Sequence, residues 1–215
     1  MRMAGSLKVA LVGAGLLPLL AATSGCAAMA WPWLMWGPEP TKTIAAEHPY
    51  LNGKRICVLV HADMETLFEY PHVQWEVADH VRVALEANVK GVSVVDPREV
   101  VDYQRRTAGW ERTDPAAIGK EFGADRVLEI DLTQYTTREP DSPHLYRGHI
   151  TAAVRLYNTE YPDSKPVYAP EIKTVYPSGS AGEWGTDDRG IRRATMEAFA
   201  VDVAGKFYDR KVRAY

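Results

Sequence analysis

The chain is poor in the residues that mark several large protein classes. Its 215 residues include two cysteines, too few for a disulfide scaffold or a cysteine zinc cluster. There is no Gly-x-Ser-x-Gly, no P-loop and no His-Glu-x-x-His, so the sequence identifies no common hydrolytic or nucleotide chemistry. Basic residues are not in excess: 25 Lys and Arg stand against 28 Asp and Glu. A net charge of −3 excludes a strongly basic nucleic-acid binder on bulk electrostatics. Apolar residues at 46% and charged residues at 25% exclude wholesale disorder and a polytopic membrane protein. No internal repeat or second core is visible.

One local absence is informative. After Arg2 and Lys8, no charged residue occurs from Val9 to Pro38. The most apolar part, Val9–Ala22, has the length of a secretory h-region and is short for a bilayer span of about 20 residues. Ala21, Ala22, Thr23, Ser24 and Gly25 then lead to Cys26. This resembles a bacterial lipoprotein signal, although Thr23 stands where that family usually carries Leu. The resemblance implies a signal peptide over residues 1–25, cleaved before Cys26. It also implies acyl chains such as palmitate on Cys26 as a membrane anchor. Two readings compete with it. An uncleaved helix running from Val9 into the tryptophans would anchor the chain equally. Val9–Gly15 looks like the start of a dinucleotide-binding strand, but Pro18 takes the third glycine position and no βαβ unit follows. Trp31, Trp33 and Trp36 suit a lipid headgroup layer or packing on a protein surface. With Pro38, Pro40 and Pro49 they make residues 26–50 a Trp/Pro-rich tether. Fully extended, it would reach at most about 85 Å.

Residues 51–215 read as a single periplasmic-type domain of mixed α/β class. Arg55–Val60 is an apolar run of the kind buried on both faces of a sheet. Cys57 lies inside it and reads as a free, inert thiol. A polar connection over His61–His72 leads to a helix from Val73 to Val89, with Val73, Val77, Val81 and Leu85 in one stripe. Val92–Val95 is a second strand. Asp96-Pro97 and Asp114-Pro115 each place an N-cap before a proline at the first helical position, opening helices to Arg106 and Phe122. Arg126–Thr133, Leu145–Asn158 and Val167–Tyr176 are strands. A Gly/Ser-containing loop, Pro177–Gly190, precedes a final helix from Ile191 to about Arg210. The order β-α-β-α-α-β-β-β-α predicts one five-stranded mixed sheet with helices packed on it. The first three strands would be parallel through right-handed crossovers, and the last three an antiparallel meander.

Ala117–Leu128, with Gly123-Ala124-Asp125 between a helix and a strand, is similar to a unit of the N-terminal domain of TolB, of the curli-secretion lipoprotein CsgG and of the penicillin-binding-protein activator LpoB. Val94-Val95-Asp96 and the element order from Arg55 to Val212 are similar too. The resemblance implies that α/β fold in an envelope setting, at the periplasmic face of a membrane and most simply the outer one. Neither specific activity follows. No insertion would form the paired transmembrane hairpins of the curli pore, and the tether is short for an activator that must cross the periplasm.

Two residue groups are candidate sites. His61, Asp63, Glu65 and His72 lie just past the first strand and offer nitrogen and oxygen ligands to a divalent metal. Arg147, His149 and Arg155 share a strand face that would meet Glu129, Asp131 and Thr133 across a strand pair. With Trp184, in the middle of the long loop, they form a candidate partner-binding surface. The expected function is a non-catalytic, membrane-tethered envelope lipoprotein that scaffolds or regulates an assembly through a protein partner. The alternative is a small-ligand or divalent-metal module at His61–His72. No cofactor, catalytic residue or nucleic acid is expected.

Overall fold

A computed structural model describes residues 41–139, 142–179, 183–184 and 188–213. Cys26, the signal segment and the three tether tryptophans lie outside the described residues. Thr41–Ile44 (β1) and Arg210–Arg213 (β8) pair as a small two-stranded sheet. The main body spans residues 44–210.

That body is built on Arg55–Ala62 (β2), Ser93–Val94 (β3), Arg126–Glu139 (β4), Ser142–Asn158 (β5) and Glu171–Tyr176 (β6). The five strands lie in the order β3-β2-β4-β5-β6, and the two-residue Glu183–Trp184 (β7) adds to β5. β2 is parallel to β3 and β4, while β4, β5 and β6 are antiparallel. The parallel part follows from crossover helices, Val73–Asn88 (α2) between β2 and β3, then Pro97–Arg106 (α3) and Pro115–Glu121 (α4) between β3 and β4. Asp96 and Asp114 cap α3 and α4 by accepting from the N–H groups of Arg98 and Ala116, with proline just inside each helix.

Alternation along the strands sorts the core into two layers. Val58, Val60, Leu128, Ile130, Ile150, Val154 and Leu156 pack with α2 and Asp188–Ala204 (α5) through Val77, Val81, Leu85, Phe199 and Val203. Each such side chain contributes about 1.5–3 kcal/mol on full burial. The helix approaches β5 closely at Gly148, where an added Cβ would lie 1.8 Å from the Thr195 hydroxyl. On the other face Cys57, Leu59 and Val127 lie under α3 and α4 with Val100, Trp110 and Ile118. These two helices cover β2 and the start of β4. Among the described residues α4 also reaches β5.

The Gly-Ala-Asp corner ties three strands together. Gly123 leaves α4 at φ 63°, the left-handed geometry that glycine adopts freely. Asp125 then accepts from the Arg55 N–H through its carboxylate and donates its own N–H to the Arg55 carbonyl. The Thr159 hydroxyl donates to the carbonyls of Ala124 and Asp125.

Several boundaries differ from expectation. The His61–His72 connection contains a short helix, Met64–Glu69 (α1), nucleated by Asp63 accepting from the Thr66 N–H. β4 runs on to Glu139 past a register shift at Thr133. The last helix starts at Asp188 and ends at Ala204 rather than Arg210. The stretch expected as tether up to Tyr50 is packed on the body from Ala46 onward. Ala46 N–H donates to Asp209, His48 N–H donates to the Lys206 carbonyl, and Leu51 is fully buried.

Candidate functional site

β4 and β5 pair in a register that sets Glu129 opposite Arg155 and Asp131 opposite Ala153. Their side chains project onto the face that carries α3 and α4. The Arg155 guanidinium reaches Glu129 at 3.2 Å and Asp131 at 3.5 Å, and the Tyr157 hydroxyl donates to Glu129 at 3.2 Å. From β2, His61 Nε2 lies 3.2 Å from the second Glu129 oxygen. The His61 ring sits on the Trp110 indole with centroids 4.3 Å apart. Glu129, 8% exposed, is therefore the hub of a network drawn from three strands.

Electrostatics keep this hub ionised. Burial alone would push the Glu129 carboxyl up, but hydrogen bonds from His61 and Arg155 outweigh it and hold the group below the ordinary glutamate range. Burial and the neighbouring Glu129 charge push the Tyr157 phenol up to about 12, so it stays a donor. Cys57, beneath the same helices, is raised by burial to about 12 and is not a nucleophile at neutral pH.

A second acidic node lies farther along the hairpin. Glu139 is 3.3 Å from His149 Nε2 and 3.7 Å from Arg147. Of the expected partner-binding residues, Arg155, His149 and Arg147 thus all lie on the β4–β5 hairpin, each engaged by a glutamate. Trp184 stands opposite Leu145 in β7, and its side chain is outside the described set. Sequence reasoning missed Glu139 because it ended β4 at Thr133.

The expected metal ligands do not converge. His61 turns to Glu129, and Asp63 is committed to capping α1. Glu65 is exposed in the first turn of α1, and His72 lines a pocket with Trp75 between α2 and α3. Among the described residues no group of three or more His, Cys, Asp and Glu side chains is placed to hold a metal ion. Proximity along a loop did not become convergence, because the loop folds into a capped helix turn.

Beside His61 the sheet is incomplete. β3 pairs only with Arg55 and Ile56, so among the described residues the outer edge of β2 runs on without a strand. The Val60 carbonyl is satisfied there by two side-chain amides, Gln74 at 2.9 Å and Gln104 at 3.1 Å. The Gln104 carbonyl oxygen is buried with no partner among the described residues. A crevice of about 330 Å³ opens here between Met64, Leu67, Gln74, Arg105 and Trp110, outside the carboxyl end of β2. Neither glutamine was legible as a site residue, since each reads as an ordinary helix position.

No family model and no curated protein matches the chain. Among solved structures the chain is similar to the PelC dodecamer from Paraburkholderia phytofirmans, at 8% identity and a TM-score of 0.43, over 79% of this chain and 99% of that one. It is similar to the lipoprotein GNA1162 from Neisseria meningitidis, at 19% identity and a TM-score of 0.40, over 60% and 87%. A minor lipoprotein from Acinetobacter baumannii is similar at 9% identity and a TM-score of 0.37, over 71% and 90%.

Proposed function

We propose that this chain is a lipid-anchored protein of the bacterial envelope whose α/β body binds a protein partner and catalyses nothing. The observation that carries the reading is the β4–β5 face: a row of ionic side chains, ordered by mutual pairing and still in partial contact with solvent. Pre-ordered, partly buried charges suit recognition, because they set register and on-rate without the entropy cost of fixing mobile side chains. The same electrostatics disfavour acid–base chemistry. Glu129 is held ionised, Tyr157 and Cys57 are held protonated, and none is poised near neutral pH.

The anchor rests on the lipoprotein-like run ending at Cys26. No helix among the described residues is long and apolar enough to cross a membrane. From Cys26 to Ile44, the start of the main body, the chain spans at most about 65 Å, so the partner lies close to the membrane that holds the anchor. Scaffolding or regulating an assembly at the periplasmic face of the outer membrane is the role that fits this reach.

The test is crosslinking in intact cells followed by mass spectrometry, with wild type, Arg155→Glu and His149→Glu compared. One protein should be captured by wild type and lost with both variants while the chain stays folded and membrane-bound. Equal capture by all three would remove the sheet face from the account, and turnover of any substrate by the purified chain would refute the non-catalytic reading.

A further inference from the structure

The helix α1 carries two apolar side chains out into water. Met64 and Phe68 are one turn apart, 81% and 91% exposed, and no residue of the helix is buried. The element is nevertheless held at both ends, by the Asp63 cap and by the Tyr70 N–H donating to the Thr66 carbonyl. Isolated exposed apolar residues are ordinary, but an adjacent pair on a capped turn forms a contact knob. It is ringed by acid: Asp63, Glu65 and Glu69 flank it, and the helix has no basic residue.

Its complement lies next along the chain. Between α2 and α3 is a pocket of about 400 Å³ walled by Trp75 and Val101 and rimmed by His72, Arg98 and Arg105, with Asp102 the one acid. The Arg98 guanidinium sits 5.7 Å from the centroid of the Trp75 ring, which leaves that indole lined by positive charge. Arg105 makes no ion pair among the described residues. The pocket's volume exceeds that of a phenyl ring, and the charge of its rim is opposite to that of the knob.

Knob and pocket are neighbours on one surface, since Arg105 also lines the crevice bordered by Met64 and Leu67. A patch that carries a feature and its complement side by side is self-complementary about a two-fold axis. We infer that two copies of this chain dock through such an axis, Phe68 of each entering the Trp75 pocket of the other. Glu65 and Glu69 then meet Arg98 and Arg105 across the contact. None of the residues of the β4–β5 face takes part, so this contact and the partner surface stand or fall separately.

A contact of this size lies at the transient end of protein interfaces, so it is best trapped in place. The full chain, carrying a photo-reactive phenylalanine analogue at position 68, is irradiated in intact cells. The expected product has twice the monomer mass, with the crosslinked peptide falling between Trp75 and Arg105 of the second copy. Glu69→Arg should reduce it about ten-fold by like-charge repulsion with Arg105, and Arg105→Glu in the same chain should restore it. Both positions are exposed, so neither change threatens folding. Arg155→Glu should leave the dimer product intact. A crosslink to lipid or to a different protein, no product at all, or a charge reversal that fails to restore it would each overturn the inference.

Discussion

Replacing Glu129 by Gln removes one charge and almost no volume from the centre of the β2–β4–β5 network. The side chain accepts from Arg155 and Tyr157 and faces His61, and the residue is 8% exposed. A hydrogen bond to a charged group contributes about 1.5–3 kcal/mol and a neutral one about 0.5–1.5 kcal/mol. The amide keeps an acceptor, so the expected loss at pH 7 is about 1–2 kcal/mol. For a domain of this size that lowers Tm by about 2–8 °C. The pH dependence is the sharper test. The folded carboxyl sits below its ordinary value, so its contribution is fully present above about pH 4.3 and is lost as pH falls through the lower folded pKa. The stability gap between wild type and Glu129→Gln, measured by urea unfolding, should therefore be present at pH 7 and close in acid as pH falls below about 4.3. A gap that is absent at pH 7, or that persists undiminished well below about pH 4, would refute the ionised hub.

Other expectations follow from packing. Gly148→Ala drives a methyl group into Thr195, which is 1% exposed and hydrogen-bonded to the Ile191 carbonyl; unfolding should show a loss of about 1–3 kcal/mol or more, only partly recovered by Thr195→Ala. Asp125→Ala should cost about 0.5–1.5 kcal/mol by removing the acceptor of the exposed Arg55 N–H, whereas Asp125→Asn should cost less. Cys57 should resist thiol reagents in the native state and react only on unfolding, as mass spectrometry of labelled protein would read directly.

Much of this architecture is legible from local chemistry. The run Arg55–Val60 needs burial on both faces, which only the centre of a sheet supplies, and β2 lies between β3 and β4. Asp96-Pro97 and Asp114-Pro115 open helices because each pair satisfies an end N–H and presets φ. The alternation in β5 places Ile150, Ala152, Val154 and Leu156 inward and Arg155 outward, and the pairing with Glu129 follows from it.

The remainder depends on contacts distant in sequence. β4 beyond Thr133 is polar on its uncovered side, so Gln134 and Thr136 give no strand signal. The register shift at Thr133 also breaks the alternation. Phe207 continues the helical stripe of Phe199 and Val203, yet the chain turns at Gly205 and Phe207 enters the core from outside the helix. The metal expectation failed for a similar reason: four donors close in sequence were separated by a turn that Asp63 itself caps. Nothing in the pattern of α1 marked Met64 and Phe68 as exposed rather than buried, since amphipathic spacing is the same in both cases.

Lipid attachment at Cys26 is the premise on which partner, reach and location all depend. Intact-mass measurement of the membrane-extracted protein tests it most directly. The expected species begins at Cys26 and carries acyl chains, and Cys26→Ser should remain unprocessed, keeping residues 1–25 and carrying no acyl chain. A Cys26→Ser protein that is trimmed and sediments with membranes just as wild type does would contradict the account.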